Sequence, residues 1–331
     1  MVDFRLRTRT FKELFMLQHK YECIFAHTTD RLDNKELLNK VKFRKIRGKK
    51  QLLQLVKIEK PDVIHTHNHP DELGKWALEI KKKTGVPVVH EVHDMAYEHA
   101  SKTAKQMEKA VLPNVDHIIT VGPGMSRLIR DKYRVSSTTI FAYPNRNLLP
   151  RIQKNTIPNR GIYQGGIRAK DNPKSKFNHR YYGRIFRKLL DQGLTIDVYP
   201  AYELKGKSVL GLNFKNHEPN IRKLYKKIST YGFGFVGYNQ TRSGVMDIAM
   251  PNKLFEYCCL TPVIAMDYHD IAKFVRRNGL GVVVDKKTLR LPDDYNERML
   301  KAKEKIIRNR NNYTMETQMI KLCKVYRRCL S

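Results

Sequence analysis

The sequence is short of acidic residues and cysteines, and it has no long apolar run. It contains 331 residues, of which 41% are hydrophobic, and no uninterrupted apolar run approaches the roughly 18 residues that a membrane-spanning helix needs. Residues 1–9 lack the apolar core of a signal peptide. The five cysteines are an odd number and form no CxxC pair, which argues against a disulfide framework. These absences predict a globular protein of the reducing cytoplasm.

The shortage of acidic residues leaves a strong positive charge. Lys and Arg number 64 against 32 Asp and Glu, giving a formal charge of +32. Residues 151–190 contain eleven basic residues and one acidic residue, Asp171. Residues 40–60 contain nine basic residues and one acidic residue, Glu59. A solvated surface explains a modest excess, but a charge this one-sided indicates an anionic partner. Nucleic acid, with DNA as the first choice, and an anionic membrane surface both fit.

Apolar segments alternate with amphipathic helical segments along the chain, which is typical of α/β proteins with parallel sheets. Prolines and an asparagine between residues 144 and 158 indicate a linker, and a long basic helical stretch covers residues 295–328. We predict strands at residues 23–26, 63–66, 87–92, 117–121 and 139–142 in the first half, and at 161–165, 195–199, 234–237, 262–266 and 281–284 in the second.

The most informative segment is Pro-Asn-Lys-Leu-Phe-Glu-Tyr at residues 251–257, followed by Pro-Val-Ile-Ala-Met at 262–266. Proline fits the first turn of a helix, and that helix places Asn252 and Lys253 near its positive end with Glu256 one turn later on the same face. Phosphates beside the lysine and ribose hydroxyls on the glutamate would suit a nucleotide diphosphate. The alternative is an ordinary amphipathic helix with a solvated Lys and Glu.

These residues closely resemble the donor-binding helix of GT-B glycosyltransferases, especially the large retaining family 4. The resemblance implies that Glu256 binds the ribose of a nucleotide sugar, while Lys253 and Asn252 lie at the diphosphate. Two positions depart from the family: Ile248 replaces a second Glu that many relatives have, and Leu260 and Thr261 fill the place of a Gly. Both departures affect the handling of the donor sugar rather than of the nucleotide.

Tyr-Gln-Gly-Gly-Ile-Arg at residues 163–168 resembles the segment that opens the second domain in this family. There a pair of glycines lets the chain pass close to the diphosphate. The resemblance makes Gly166 a donor-site residue, and it makes Arg168 and Lys170 candidate phosphate ligands. The alternative is that both basic residues only contribute to the overall positive charge of the surface.

Histidines follow the second and third predicted strands. Pro-Asp-Val-Ile-His-Thr-His at residues 61–67 is similar to the start of a metal hydrolase, in which His-x-His ends a strand. His90, His93 and Asp94 could be recruited to such a site. The glycosyltransferase resemblance accounts for these strand ends better and implies no metal site. It places His93 beside the donor sugar and has Asp94 orient that sugar or the acceptor, so both are candidate catalytic residues. The alternative for His93 is a satisfied histidine at a strand end. His65, His67 and Gly122 are candidate residues of the acceptor side, with a plain turn as the alternative for Gly122.

The resemblance spans roughly residues 60–285 and implies an α/β protein of GT-B fold, with two Rossmann-like parallel-sheet domains facing across a cleft. Relatives open with a strand and a Gly-rich loop, but here a helical segment begins near Thr10, so the first strand is lost or abbreviated. The expected organisation is an acceptor domain at residues 1–150, a nucleotide-sugar domain at 151–295, and a helical tail at 296–331 that packs back on the first domain.

The implied activity is that of a retaining, hexosyltransferase-like enzyme that uses a nucleotide-diphosphate sugar, with UDP-sugar as the first choice. The departing phosphate itself deprotonates the acceptor in such enzymes, so no cofactor is required; a divalent metal is compatible but not implied. The leading acceptor is a hydroxylated base in DNA, as in phage or viral DNA modification in a host cytoplasm. One alternative is a cell-envelope polysaccharide or lipid glycosyltransferase, peripheral on the inner membrane face. Another is a nucleic-acid-binding protein with a degenerate GT-B fold.

Overall fold

The structure is a computed structural model, and it divides into two compact units. It describes residues 1–30, 32–67, 71–96, 101–153, 156–168, 172, 175, 178–201, 212–239 and 244–331. Unit 1 comprises Met1–Asn145 together with Met315–Ser331, and unit 2 comprises Arg146–Thr314. The boundaries expected from the sequence lay at residues 150 and 295, whereas the contacts within the chain divide it at 145 and 314.

Unit 1 is built on parallel strands that are connected by helices. Its strands are β1 Cys23–His27, β2 Val41–Lys45, β3 Ile64–His67, β4 Val88–Val92, β5 His117–Thr120 and β6 Ser137–Thr139. Its helices are α1 Thr8–Leu17, α2 Lys49–Glu59, α3 Glu72–Thr84, α4 Lys102–Val111 and α5 Pro123–Tyr133. Strands β3, β4, β5 and β6 pair in sequence order, and β1 pairs with β2. Central strands of parallel sheets are covered on both faces, and β3 and β4 are buried along their whole length.

Val2 joins the two groups of strands in unit 1. It forms parallel bridges to Ala26 in β1 and to Thr66 in β3, and its amide donates to the carbonyl of His65 at 2.8 Å. The Val2 side chain is buried in a core shared with Ile46, Leu52 and other residues from β3, β4, α2 and α3. Val2 thus bridges β1 and β3 in parallel, and the loss or shortening of a first strand stays a prediction from the family resemblance.

Unit 2 contains a six-stranded parallel sheet of order β12-β11-β10-β7-β8-β9. Its strands are β7 Arg160–Gly165, β8 Thr195–Pro200, β9 Asn213–Phe214, β10 Phe233–Val236, β11 Val263–Met266 and β12 Gly281–Val284. Its helices are α6 Gly183–Leu190, α7 Ile221–Ile228, α8 Val245–Ile248, α9 Asn252–Tyr257, α10 His269–Asn278 and α11 Tyr295–Asn309. The chain order reverses on either side of β7, so β7 and β10 mark the switch point of the sheet, where α/β proteins bind ligands.

The last helix returns to unit 1. Helix α12 spans Met315–Leu330 and packs on α1 and β4. The Gln318 side chain accepts a hydrogen bond from the amide of Phe141 at 3.2 Å. Short 3-10 helices also occur at Lys35–Leu37, Leu112–Asn114, Arg146–Leu148, Asn178–Arg180 and Arg310–Tyr313. Of the helices that the structure describes, none is both long and apolar enough to cross a bilayer.

Candidate functional site

Three of the predicted donor residues of unit 2, Gly166, Lys253 and Glu256, lie at the carboxyl end of β7. Gly165, the last residue of that strand, has a φ of +127°, a conformation that favours glycine. The hydroxyl of Tyr163 donates to the carbonyl of Gly166 at 2.8 Å and so fixes the turn. A Cβ on Gly166 would lie 3.0 Å from the Arg180 guanidinium. The glycine pair thus leaves room for two basic side chains against the backbone.

Lys253 lies over this glycine turn. Its Nζ is 3.8 Å from the centroid of the Tyr163 ring, a cation–π contact, and a Cβ on Gly165 would be 3.3 Å from the same nitrogen. Burial, and after it the Arg180 guanidinium, lowers the pKa of Lys253 to about 7, although Glu256 acts in the opposite direction. Two basic side chains placed together form a site suited to a multivalent anion.

Glu256 is buried, with 4% of its surface exposed. The amide nitrogen of Gln164, the residue before Gly165, donates to its Oε2, while the backbone amide of Gln164 donates to the Tyr257 hydroxyl at 3.1 Å. The Gln164 Oε1 is buried and has no hydrogen-bond partner in the part of the chain that the structure describes. Strand β7 and helix α9 therefore present two oxygen acceptors side by side.

The remaining donor predictions fall at three kinds of position. Asn252 is exposed at the first position of α9, a helix of six residues. The Arg168 guanidinium donates to Ser175 Oγ at 2.9 Å, so it faces its own loop. Lys170 lies outside the described residues. Sequence patterns missed Arg180 and Gln164, because one belongs to a basic run without periodicity and the other to an apolar strand.

Unit 1 holds a second group of buried polar residues. They lie at the ends of β3 and β4 and on the helix that covers these strands. In the parallel pairing His67 is opposite Glu91 and His65 is opposite Val89, so the side chains of His65, His67 and Glu91 share one sheet face. Helix α1 covers this face with Arg9 and Glu13, which lie one turn apart. We name Arg9, Glu13, His65, His67 and Glu91 the buried cluster. All five are at most 2% exposed.

Ion pairs link the members of the buried cluster. The Arg9 Nε donates to Glu91 Oε1, and Arg9 Nη2 lies 3.5 Å from Glu13 Oε1. Two histidines approach the other oxygens: His67 Nε2 is 3.6 Å from Glu13 Oε2, and His65 Nε2 is 3.9 Å from Glu91 Oε2. Each carboxylate thus faces Arg9 with one oxygen and a histidine with the other.

The electrostatics of the buried cluster separate its two carboxyl groups. Burial, followed by the charge of Glu91, raises the pKa of Glu13 well above its usual value. Burial acts in the same direction on Glu91, but the Arg9 guanidinium and His67 outweigh it and hold the pKa of Glu91 well below its usual value. Burial also lowers the pKa of both His65 and His67. The imidazoles are therefore neutral at pH 7, and Glu91 is the more acidic of the two carboxyl groups.

The candidate catalytic residues lie at the edge of the buried cluster. His93 is 14% exposed at its side chain, and its Nε2 is 2.6 Å from Glu91 Oε1 and 3.1 Å from His67 Nδ1. Asp94, the next residue, is exposed. Gly122 precedes α5 in an extended conformation with a φ of −162°, which any residue adopts. The structure therefore brings His65, His67 and His93 together and leaves Gly122 with no conformational need for glycine.

The basic residues of β2 and those of α6 and α7 differ in structural role. Strand β2 lies at a sheet edge, and its basic side chains are paired: Lys42 with Glu22, Arg44 with Glu59 and Lys45 with Asp30. Charged side chains on an edge strand prevent pairing with other chains. By contrast, α6 and α7 bury an apolar face and contain no acidic residue. Their exposed basic residues are Arg184, Arg187, Lys188, Arg222, Lys223 and Lys226.

Comparison with known proteins supports the fold and the enzyme class. Residues 17–145 match the model of Glycosyltransferase Family 4, and no curated protein matches the chain. Similar structures include HepE from Anabaena in complex with UDP-glucose, with 12% identity, a TM-score of 0.71 and coverage of 98% of this chain and 97% of that one. The lipopolysaccharide outer core galactosyltransferase WaaB has 13% identity, a TM-score of 0.59 and coverage of 93% and 91%.

A third similar structure is an alpha-glucosyltransferase in complex with UDP-glucose and DNA containing an abasic site. It has 10% identity, a TM-score of 0.62 and coverage of 98% of both chains. Together with the parallel sheets of the two units, these likenesses confirm the predicted GT-B fold. The family match over residues 17–145 confirms the predicted glycosyltransferase class, whereas the roles of individual residues stay predictions.

Proposed function

We propose that this chain, a glycosyltransferase of GT-B fold, transfers the sugar of a UDP-sugar to a hydroxyl group of an anionic acceptor, with a hydroxylated base in DNA as the leading acceptor. The observation that carries the donor half is the position of Lys253 against the Gly165 turn, with Arg180 beside it. We assign the diphosphate to these two cations. Their charges stabilise the diphosphate as it leaves, because negative charge grows on it in the transition state.

Glu256 and Gln164 are the proposed ribose ligands. A buried carboxylate oxygen and the unbonded Gln164 Oε1 accept hydrogen bonds, and the two adjacent hydroxyls of a ribose donate them. The bond from Gln164 to Glu256 holds the carboxylate in one position. His93 and Asp94 are proposed, from the family resemblance, as the residues that act on the sugar or on the acceptor.

The acceptor assignment rests on charge. The basic outer faces of α6 and α7 contain no acid, so their charge is not neutralised within the helices and attracts a polyanion. One similar structure is a complex with both UDP-glucose and DNA, which agrees with the same pairing of donor and acceptor. An enzyme that modifies a base must take that base out of the stack.

A cell-envelope glycan is the second candidate acceptor, since WaaB, a lipopolysaccharide galactosyltransferase, has a similar structure. Anionic lipid would then attract the basic helices. A binding protein without activity is the third candidate. The three differ in what stimulates release of nucleoside diphosphate.

The test measures nucleoside diphosphate released from a panel of UDP- and GDP-sugars, with hydroxymethylated DNA, unmodified DNA of the same sequence, or no DNA. We expect release from one UDP-sugar that only the hydroxymethylated DNA stimulates, with a matching mass gain on the base. Nucleoside diphosphate release that is the same with and without DNA would overturn the acceptor assignment in favour of glycans or lipids. No release from any sugar, combined with salt-sensitive DNA binding, would favour the binding protein.

Glu256→Gln tests the donor site with little change in shape. Hydrogen bonds to charged groups contribute about 1.5–3 kcal/mol each, so UDP-sugar affinity should fall roughly 10- to 100-fold. Glu304→Gln, on the exposed face of α11, is the matched control and should bind like the unmodified chain. Equal affinity of the two variants by calorimetry would remove the ribose assignment.

A further inference from the structure

We propose that the buried cluster of unit 1 binds one first-row divalent metal ion, Zn²⁺ by ligand type and number, through Glu13, His65, His67 and Glu91. One ligand atom from each of these four residues lies within 4.8 Å of the other three. The site does not depend on the proposed sugar transfer, and it differs from the histidine motif of a metal hydrolase because half of its ligands are carboxylates from α1 and β4.

The distances suit a small ion. Ligand nitrogen and oxygen atoms about 2.0–2.1 Å from a tetrahedral Zn²⁺ are about 3.3 Å from one another. The pairs His67 Nε2–Glu13 Oε2 and His65 Nε2–Glu91 Oε2 are 3.6 and 3.9 Å apart. Movements of a few tenths of an ångström would bring these two pairs to that spacing, and the four ligand atoms all lie within 4.8 Å of one another.

These four atoms also need a partner. His65 Nε2, His67 Nε2, Glu13 Oε2 and Glu91 Oε2 are buried, and within the described ranges none of them has a hydrogen-bond partner. A buried polar atom without a partner costs about 1–3 kcal/mol, so four that face one another would weaken unit 1 considerably. One cation satisfies all four at once.

Other residues orient the ligands through their outer atoms. The His65 Nδ1 lies 2.8 Å from the Tyr326 hydroxyl, and the His67 Nδ1 lies 3.1 Å from His93 Nε2. Both rings therefore turn Nε2 inward, as metal-binding histidines do when a second group holds the opposite nitrogen. Arg9 bonds the outer oxygen of Glu91 and approaches that of Glu13, leaving both Oε2 atoms toward the histidines.

Charge balance favours the same conclusion. Two carboxylates and one guanidinium carry a formal charge of −1 in a volume closed to water, and buried charge of that kind is neutralised by a proton or a cation. Two imidazoles beside two carboxylates are the donor set that first-row divalent metals select.

The first experiment is metal analysis by plasma mass spectrometry of the full chain, purified without a metal-affinity tag or chelator. We expect one equivalent of Zn²⁺ per chain. Replacement by Co²⁺ should give the intense visible bands of a four-coordinate ion, and adding Zn²⁺ to chelator-treated protein should raise its melting temperature. No metal above the buffer level, with no Co²⁺ bands and no thermal response, would overturn the proposal in favour of a proton or buried water.

Variants locate the ion. Glu13→Gln keeps the side-chain shape, and it should contain no Zn²⁺. His90→Gln is the matched control, because His90 is a buried histidine of β4 on the opposite sheet face, bonded to Thr66 and Asp71, and it should keep one equivalent. A full equivalent in Glu13→Gln would overturn the assignment. If that variant does not fold, the metal content and Co²⁺ spectrum of the unmodified chain decide alone.

Discussion

At the scale of single residues, Lys253 combines a binding role with a cost to the fold. Its low pKa reports that burial disfavours the ammonium form when no anion is present. A bound diphosphate supplies the missing counter-charge and restores protonation. The same residue should therefore weaken the folded state without a ligand and strengthen the complex with one, which is a common compromise at binding sites.

Lys253→Met should separate these two effects. The pKa of Lys253 is about 7 in the folded chain and 10.5 in the unfolded chain. Between these pH values the unfolded chain therefore binds more protons at this residue than the folded chain does. The contribution of Lys253 to the unfolding free energy rises with pH across that window. The variant should gain about 1 kcal/mol of unfolding free energy near pH 7, and the gain should shrink toward pH 10. Urea unfolding followed by circular dichroism measures this; a less stable variant at pH 7 would contradict it.

The affinity for UDP-sugar should change with pH in the opposite sense. Above pH 7 the unmodified protein must take up a proton at Lys253 to bind, so affinity should fall by up to about tenfold per pH unit. The diphosphate of a UDP-sugar is a diester that does not titrate here, which makes it a cleaner probe than UDP. Lys253→Met should bind weakly and without this slope.

Lys253 and Glu256 were predicted as donor-site residues from local sequence, because both belong to one short motif. Arg180, Gln164, Glu13 and Glu91 carry no comparable local pattern. Glu13 and Arg9 sit on a helix that alternation and periodicity only identify as amphipathic, and Glu91 interrupts an apolar strand. Their chemistry arises when β3, β4 and α1 are packed together, so it becomes visible only in the folded unit.

At the scale of elements, buried strands were predictable and the charged edge strand β2 was not. Strand β4 is buried along its length and is evident in the sequence, whereas β2 is Val-Lys-Phe-Arg-Lys and was interpreted only as part of a basic run. An edge strand needs charge where a central strand needs apolar surface. Strand β6 likewise ends at Thr139, where the sequence had favoured the more apolar residues 139–142.

The single bridging residue Val2 offers a test at this scale. Val2→Ala removes buried methyl groups between β1 and β3 and should lower the unfolding free energy of unit 1 by about 2 kcal/mol. The one tryptophan, Trp76, packs in unit 1 with its ring centroid 6.4 Å from that of Phe4, so its fluorescence follows that unit. Ile58→Ala, at a side chain that is 77% exposed, is the control and should change little. Equal midpoints for the two variants would deny Val2 a role in joining the strands.

At the scale of the whole molecule, the formal charge of +32 predicts a strong dependence of DNA binding on salt. If about six phosphates are neutralised, affinity for duplex DNA should fall about 10³-fold between about 50 and about 200 mM salt. Binding of UDP-sugar to the half-buried Lys253 is screened less and should change far less over this range. DNA affinity that does not change with salt concentration, measured by fluorescence anisotropy, would contradict the proposal that the positive charge binds DNA.

Helix α12 gives the order of synthesis a particular importance. Unit 1 combines residues 1–145, which precede unit 2 in the chain, with the sixteen-residue helix α12, which follows it and brings Tyr326 to His65. Unit 2 is contiguous in sequence, so it can fold while the chain is still being made. Unit 1 cannot be completed until α12 has been synthesised. During that interval α1 and β4 lack the helix that packs on them, and synthesis of α12 is the event that lets unit 1 close.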